Sequence, residues 1–155
     1  MGNGMSGDID RAILNRYEGV LLIDQTGRFL TQERDAILGI GYPGRVTLFG
    51  GTAENGENSV ECAVCELREK TGVQAKANEL ELLAQFTIID EDGSRQDGAL
   101  FMIGRVVREL MTVTEGRLLE VRLDELDVLW PRMTPEASHA VKLYIGHLQR
   151  RGDGQ

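Results

Sequence analysis

Cysteine, proline and aromatic residues are all scarce in this chain of 155 residues: it has two cysteines, three prolines and 5% aromatics. Two cysteines cannot staple a small disulfide scaffold. Positive charge is also in short supply, with 17 Lys plus Arg against 25 acids and a formal net charge of −8. That argues against a nucleic-acid polymer as partner, because such proteins present a basic surface. It does not exclude a small anionic ligand, since a bound metal can supply positive charge locally. No apolar run approaches the roughly 18–20 residues needed to cross a bilayer, so no membrane partner is expected. The opening MGNGMSGDID lacks a basic region followed by an apolar one, so it does not read as a secretory signal. A cytoplasmic location is the resulting expectation.

Hydrophobic residues make up 41% of the chain, enough for one core in one domain. The expected organisation is a flexible tail over 1–12, a single domain over 13–149 and a polar tail over 150–155. The apolar run 17–23, the turn from Asp24 to Gly27 and the segment 28–32 read as a hairpin. Residues 37–45 contain several glycines and Pro43, and read as a loop. A short strand over 46–49 enters the double glycine Gly50-Gly51. Segments 80–89 and 99–107 are rich in β-formers, with Asp92-Gly93 as a turn between them. Residues 118–123 alternate as a further strand. Thr134 caps a last helix with Pro135 in its first turn, and Ala137, Val141, Tyr144, Ile145 and Leu148 give it an apolar face.

The stretch GGTAENGENSVECAVCELREKTGV, over 50–73, carries the chemistry. Asn58 is placed to cap a helix, with Glu61 three residues on in a capping-box arrangement. Val60, Ala63, Val64, Leu67 and Thr71 recur at helical spacing as its buried stripe. Gly72 suits the left-handed position just past the helix end. With about 100° per residue, positions 62, 66, 69 and 70 share one flank, so Glu66 and Glu69 are neighbours. Glycines at 50 and 51 let the backbone approach that flank closely. Glu66 and Lys70 are also spaced as an i,i+4 ion pair in the favoured orientation.

This stretch resembles the Nudix box, in which a glycine, a first glutamate and a helix bearing further glutamates follow one another at fixed spacing. Gly51, Glu57, Glu66, Leu67, Glu69, Gly72 and Val73 fall on its positions. Cys65 stands where the family has arginine, and Lys70 where it has its last glutamate. PGRVTLFGG over 43–51 and EGRLLEVRLDEL over 115–126 resemble other parts of the family. The resemblance implies an α/β fold, an α/β/α sandwich with a mixed sheet between helices. It also implies a hydrolase of a nucleoside diphosphate derivative, using Mg²⁺ or Mn²⁺ to assist water attack on a diphosphate.

By the same resemblance, the carbonyl near Gly50 with Glu66 and Glu69 would hold the metal. Gly51, Glu57 and Gly72 would shape the box. The family often draws its base from a loop before a late strand, where Glu115 lies, with Glu109 and Glu120 as alternatives. Arg34, Arg45 and Lys70 are candidates for contacting substrate phosphate. Lysine at 70 would repel a divalent ion, and cysteine at 65 cannot replace the planar donor fork of arginine. The alternative is therefore a weak or inactive Nudix domain that binds a phosphorylated ligand or a protein partner. A homodimer is compatible with the resemblance.

Cys62 and Cys65 form C-x-x-C, but inside a helix and without a second ligand pair, so they read as ordinary small side chains. His139 and His147 are too separated for a metal site and read as surface or packing residues. Trp130 reads as a core anchor.

Overall fold

Inward-facing apolar residues on successive strands divide between two sides, and each side is covered by one helix. In a computed structural model, residues 16–36, 44–53, 58–89, 93 and 95–153 are described. Strand β1 (Arg16–Asp24) is buried on both faces. Its Leu21 and Ile23 join one core cluster, and its Val20 and Leu22 join the other. This period-2 division continues in β2 (Phe29–Glu33), where Phe29 and Leu30 go to opposite sides. The remaining strands are β3 (Val46–Thr47), β4 (Phe49–Ala53), β5 (Glu81–Ile89), β6 (Arg95–Val106) and β7 (Arg117–Val121).

They form a seven-stranded sheet in the order β3-β2-β1-β6-β5, with β4 also pairing β1 and β7 pairing β2. The sheet is mixed: β1 runs parallel to β6 and antiparallel to β2 and β4. Helix α1 (Ser59–Thr71) covers one face through Ala63 and Leu67. The short helix α2 (Leu126–Leu129) leads through a turn of tighter helix at Trp130–Arg132 into α3 (Pro135–Asp153). The last helix covers the other face through Ala137, Ala140 and Val141. The α/β/α sandwich expected from the sequence is therefore the fold.

Local chemistry explains several joints. The β1–β2 turn closes because Asp24 Oδ1 accepts from the Thr26 amide at 2.8 Å and the Arg28 amide at 3.0 Å, an Asx arrangement. The hairpin between β5 and β6 is tighter than the sequence implied. Ile89 is registered with Arg95, so β6 begins four residues before the expected Ala99. The expected turn residue Asp92 lies outside the described residues, while Gly93 has φ +86°. α3 continues past Leu148 through Arg150 and Arg151. Trp130 is half-buried against the α3-side core, with the Lys142 Nζ 5.3 Å from its ring centroid.

Candidate functional site

The site is assembled where β4 meets α1. Asn58 caps the helix: its side-chain oxygen accepts from the Val60 amide at 3.0 Å and the Glu61 amide at 3.5 Å. The return bond that a capping box would draw from Glu61 is absent among the described residues. Gly72 ends the helix at φ +76°, and its amide donates to the Arg68 carbonyl. Between these caps, Cys62, Ala63, Leu67 and Thr71 are buried, which fixes the rotation of the helix and thereby where its acids point.

That rotation seats Glu66 on Gly51. A methyl group added at Gly51 would lie 2.4 Å from the Glu66 Cδ and 2.6 and 2.7 Å from its two oxygens. Only a residue without a Cβ leaves room for this carboxylate. At Gly50 the constraint is the neighbouring strand, since a Cβ there would stand 2.1 Å from the Glu18 carbonyl oxygen. Gly51 is thus required by close approach to the helix flank, as the sequence suggested, whereas Gly50 is required by close approach to β1 and not to the helix. Glu69 is exposed on the same flank, and among the described residues no Lys or Arg lies within ion-pair distance of it.

Lys70 is half-buried. The Glu66–Lys70 ion pair expected from the spacing does not form, and among the described residues the Lys70 ammonium has no carboxylate partner. The i,i+4 spacing brings the two side chains to the same flank, but Glu66 turns to Gly51 instead. Cys65 is exposed, Cys62 is buried, and no disulfide joins them. Glu57 lies outside the described residues.

Glu18 is an acid the sequence reading passed over. It is fully buried on β1 and registered with Gly51 on β4 and with Ala99 on β6. Its neighbours at alternate positions, Val20 and Leu22, pack on the α1 side, so Glu18 faces the same side as Glu66. Its position in an apolar alternation was the available signal.

Of the candidates for a base, Glu120 is committed elsewhere, with Arg28 and Arg108 each 3.0 Å away. Glu109 is exposed in a turn of 3-10 helix. Glu115 is exposed in the bend before β7, and its backbone carbonyl accepts from the Gln32 Nε2 at 2.8 Å. That bond fixes the bend while leaving the carboxylate outside it. Gly116, at φ +64°, completes the turn.

The two arginines proposed for phosphate separate in role. Arg45 donates to the Arg132 carbonyl at 2.8 Å and the Met133 carbonyl at 2.6 Å, tying β3's approach to the segment before α3. Arg34 lines a cavity of about 350 Å³ together with Glu33, Asp35, Arg117 and Arg132, and its buried Nε has no hydrogen-bond partner. Glu33 bridges Arg132, at 2.5 Å, and Arg117. These two contacts, Arg132 first, hold its carboxyl below the usual range. Tyr17 lies nearby, and burial pushes its phenol well up, so it stays protonated. His139 is exposed at the mouth of a separate cavity with Phe86 and Glu136.

Among the described residues no three acid, imidazole or thiol groups converge. Two carboxylates on one flank and a cradle at Gly51 that a Cβ would fill fit one hard cation that keeps several of its waters. They do not make a closed all-protein cage.

The description "NUDIX domain" matches residues 15–144. No curated protein matches the sequence. Among solved structures, the chain is similar to a MutT protein from Methanosarcina mazei Go1, with TM-score 0.70 and 16% identity over 87% of this chain and 95% of that one. It is similar to a NUDIX hydrolase from Nitrosomonas europaea, with TM-score 0.68 and 16% identity over 86% and 90%. It is also similar to a bifunctional NMN adenylyltransferase/ADP ribose pyrophosphatase from Francisella tularensis, complexed with AMP and a manganese ion. There the TM-score is 0.65 and the identity 14%, over 94% of this chain and 47% of that one.

Proposed function

Since this chain belongs to the NUDIX family, we propose that it hydrolyses a diphosphate linked to a nucleoside or a similar group, with Mg²⁺ or Mn²⁺ bound. The observation that carries this reading is the Glu66 carboxylate seated on Gly51, with room for no side chain between them. Glu66, Glu69 and the Gly50 carbonyl are the groups that would hold the cation. When bound, it would offset the charge on the diphosphate oxygens. Glu115, or Glu109 in its stead, would take a proton from water, as the other candidate, Glu120, is engaged by two arginines. Arg34, lining its own cavity, is the arginine available to a phosphate, because Arg45 spends two donors on backbone carbonyls. The manganese ion and AMP named with the Francisella tularensis structure are compatible with such a ligand.

The test is turnover of a panel of nucleoside diphosphate derivatives with Mg²⁺, with Mn²⁺ and with chelator. Metal-dependent phosphate release that is lost in Glu66→Gln supports the hydrolase. The presence of lysine at 70 and cysteine at 65 favours a second reading, a binding domain without turnover. Ligand-induced thermal stabilisation with no phosphate release in any condition would establish that reading instead.

A further inference from the structure

We infer that the cavity between Phe86 and the start of α3 is a base pocket, in which the Glu136 carboxylate accepts the two neighbouring N–H donors of a guanine. This deepens the diphosphate reading by naming the base, and rests on it for what the base carries. The cavity holds about 260 Å³ and is lined by Phe86, Thr87, Leu100, Pro135, Glu136 and His139. That is below the roughly 300–1,000 Å³ of pockets that take whole ligands, so it suits one planar ring system. Glu136 is its only carboxylate and is 9% exposed. Among the described residues no Lys, Arg or His lies within ion-pair distance of that carboxylate, and no donor hydrogen-bonds to it.

The walls suit a flat ring. A methyl group added at Gly98 would lie 2.4 Å from the Phe86 Cζ, so the phenyl ring rests directly on the β6 backbone. Tyr17 braces it from the side, with ring centroids 6.4 Å apart and planes at 62°. Leu100 and Pro135 add apolar surface, which favours stacking over hydration.

Two ordinary roles do not account for Glu136. It lies in the first turn of α3, where the helix dipole favours an acid, but that benefit needs neither burial nor a cavity. Nor is it the cap: the Thr134 hydroxyl accepts from the Ala137 amide at 3.4 Å, and the Thr134 carbonyl accepts from the Ser138 amide. An acid this deeply buried without a donor is costly, and a ligand that brings donors relieves the cost. Burial, and after it the Glu136 charge, push the Tyr17 phenol up, so the field of the acid reaches β1.

A carboxylate only accepts, at two oxygens. Guanine presents it with two adjacent donors, N1–H and the 2-amino group. Adenine and cytosine instead set a ring-nitrogen acceptor beside their one amino donor. His139, one turn beyond Glu136, stands at the mouth, where an imidazole N–H can donate to the guanine carbonyl. The strands connect this pocket to the box, since Tyr17 pairs Thr52 and Glu18 pairs Gly51. Among the described residues β4 pairs β1 alone, so sugar and phosphates would pass its free edge to reach Glu66.

The probes are guanosine, inosine and adenosine, which carry no phosphate, titrated by saturation-transfer NMR. The α,β-methylene analogues of GDP and ADP, which resist cleavage at that bridge, are titrated in parallel by calorimetry with Mn²⁺. The unaltered protein should bind guanosine best. Inosine lacks the 2-amino donor and should bind about tenfold more weakly, the scale of one lost charge-assisted hydrogen bond, and adenosine more weakly still. Glu136→Gln keeps the shape and removes the second acceptor, so it should flatten this ranking by about tenfold or more while Mn²⁺ affinity measured without nucleotide stays the same. Thermal melts keep a folding defect separate from a binding one, and the ranking in the unaltered protein tests the pocket without any variant. Adenosine binding as tightly as guanosine, an unchanged ranking in folded Glu136→Gln, or no nucleoside binding together with equal affinities for the two methylene analogues would each overturn the inference and leave the diphosphate reading intact. Guanosine binding that depends on Glu136, with neither methylene analogue gaining affinity from Mn²⁺, would support the pocket and remove the diphosphate reading instead.

Discussion

At the scale of single residues, two adjacent glycines do different work, and substitution separates them. Gly51→Ala drives a methyl into the tip of a flexible side chain. Glu66 can swing aside, so the fold should lose on the order of 1 kcal/mol while Mn²⁺ affinity and any turnover fall sharply. Gly50→Ala meets the backbone of the neighbouring strand, which cannot swing aside. It should cost about 3 kcal/mol or more. Urea unfolding of the two variants, beside metal titration, checks the contrast. Equal stability losses would show that the cradle at Gly51 is not shaped by Glu66. This contact was readable beforehand because the glycine and the acid belong to one short motif with fixed spacing. Glu18 was not. Its place in an apolar alternation was a hint, but its burial depends on β4 and β6 closing over β1, which the local pattern does not announce.

At the scale of elements, an ionic brace links three parts of the chain. Glu33 at the end of β2 holds Arg117 at the start of β7 and Arg132 ahead of α3. Asp97 on β6 is held likewise, by the Thr87 hydroxyl at 2.7 Å and then by Arg95. Both carboxyls sit below their ordinary pKa, so the unfolded chain binds protons more readily than the folded one. Their stabilisation is complete above the ordinary carboxylate range, near about pH 4, and is lost as pH falls through the depressed folded values. In Glu33→Gln the acid limb of a stability-against-pH curve should be shallower, and denaturant melts from pH 7 to pH 3 would measure it. An unchanged slope would mean the brace adds nothing in solution. Removing the cap in Asn58→Ala should cost about 1 kcal/mol, read in the same way. The cap was visible in the sequence as a polar residue just ahead of an apolar periodicity. The brace was not, because its partners lie 84 and 99 positions apart and opposite charges are too common to match across such distances.

At the scale of the whole molecule, the sheet divides one chain into two cores, and only one of them carries the box. Leu67 is buried on the α1 side, so Leu67→Ala should cost about 2–5 kcal/mol and loosen Glu66 with it. A substitution of similar cost on the α3 side, such as Val141→Ala, should leave Mn²⁺ affinity unchanged while the protein stays folded. Metal titration of both variants below their melting temperatures tests that independence. The layered fold was legible because strand alternation and helical spacing each name their buried faces. The path between layers was less so: α2 and the turn at Trp130–Arg132 have weak local signals and are held in place by Arg45 and Glu33 from elsewhere. That turn carries the chain's one tryptophan, with an ammonium 5.3 Å from its ring centre. Nature has therefore placed a fluorophore beside the joint where β3 and α3 are tied together. Its emission colour and its quenching by iodide would report any opening of that joint without a label.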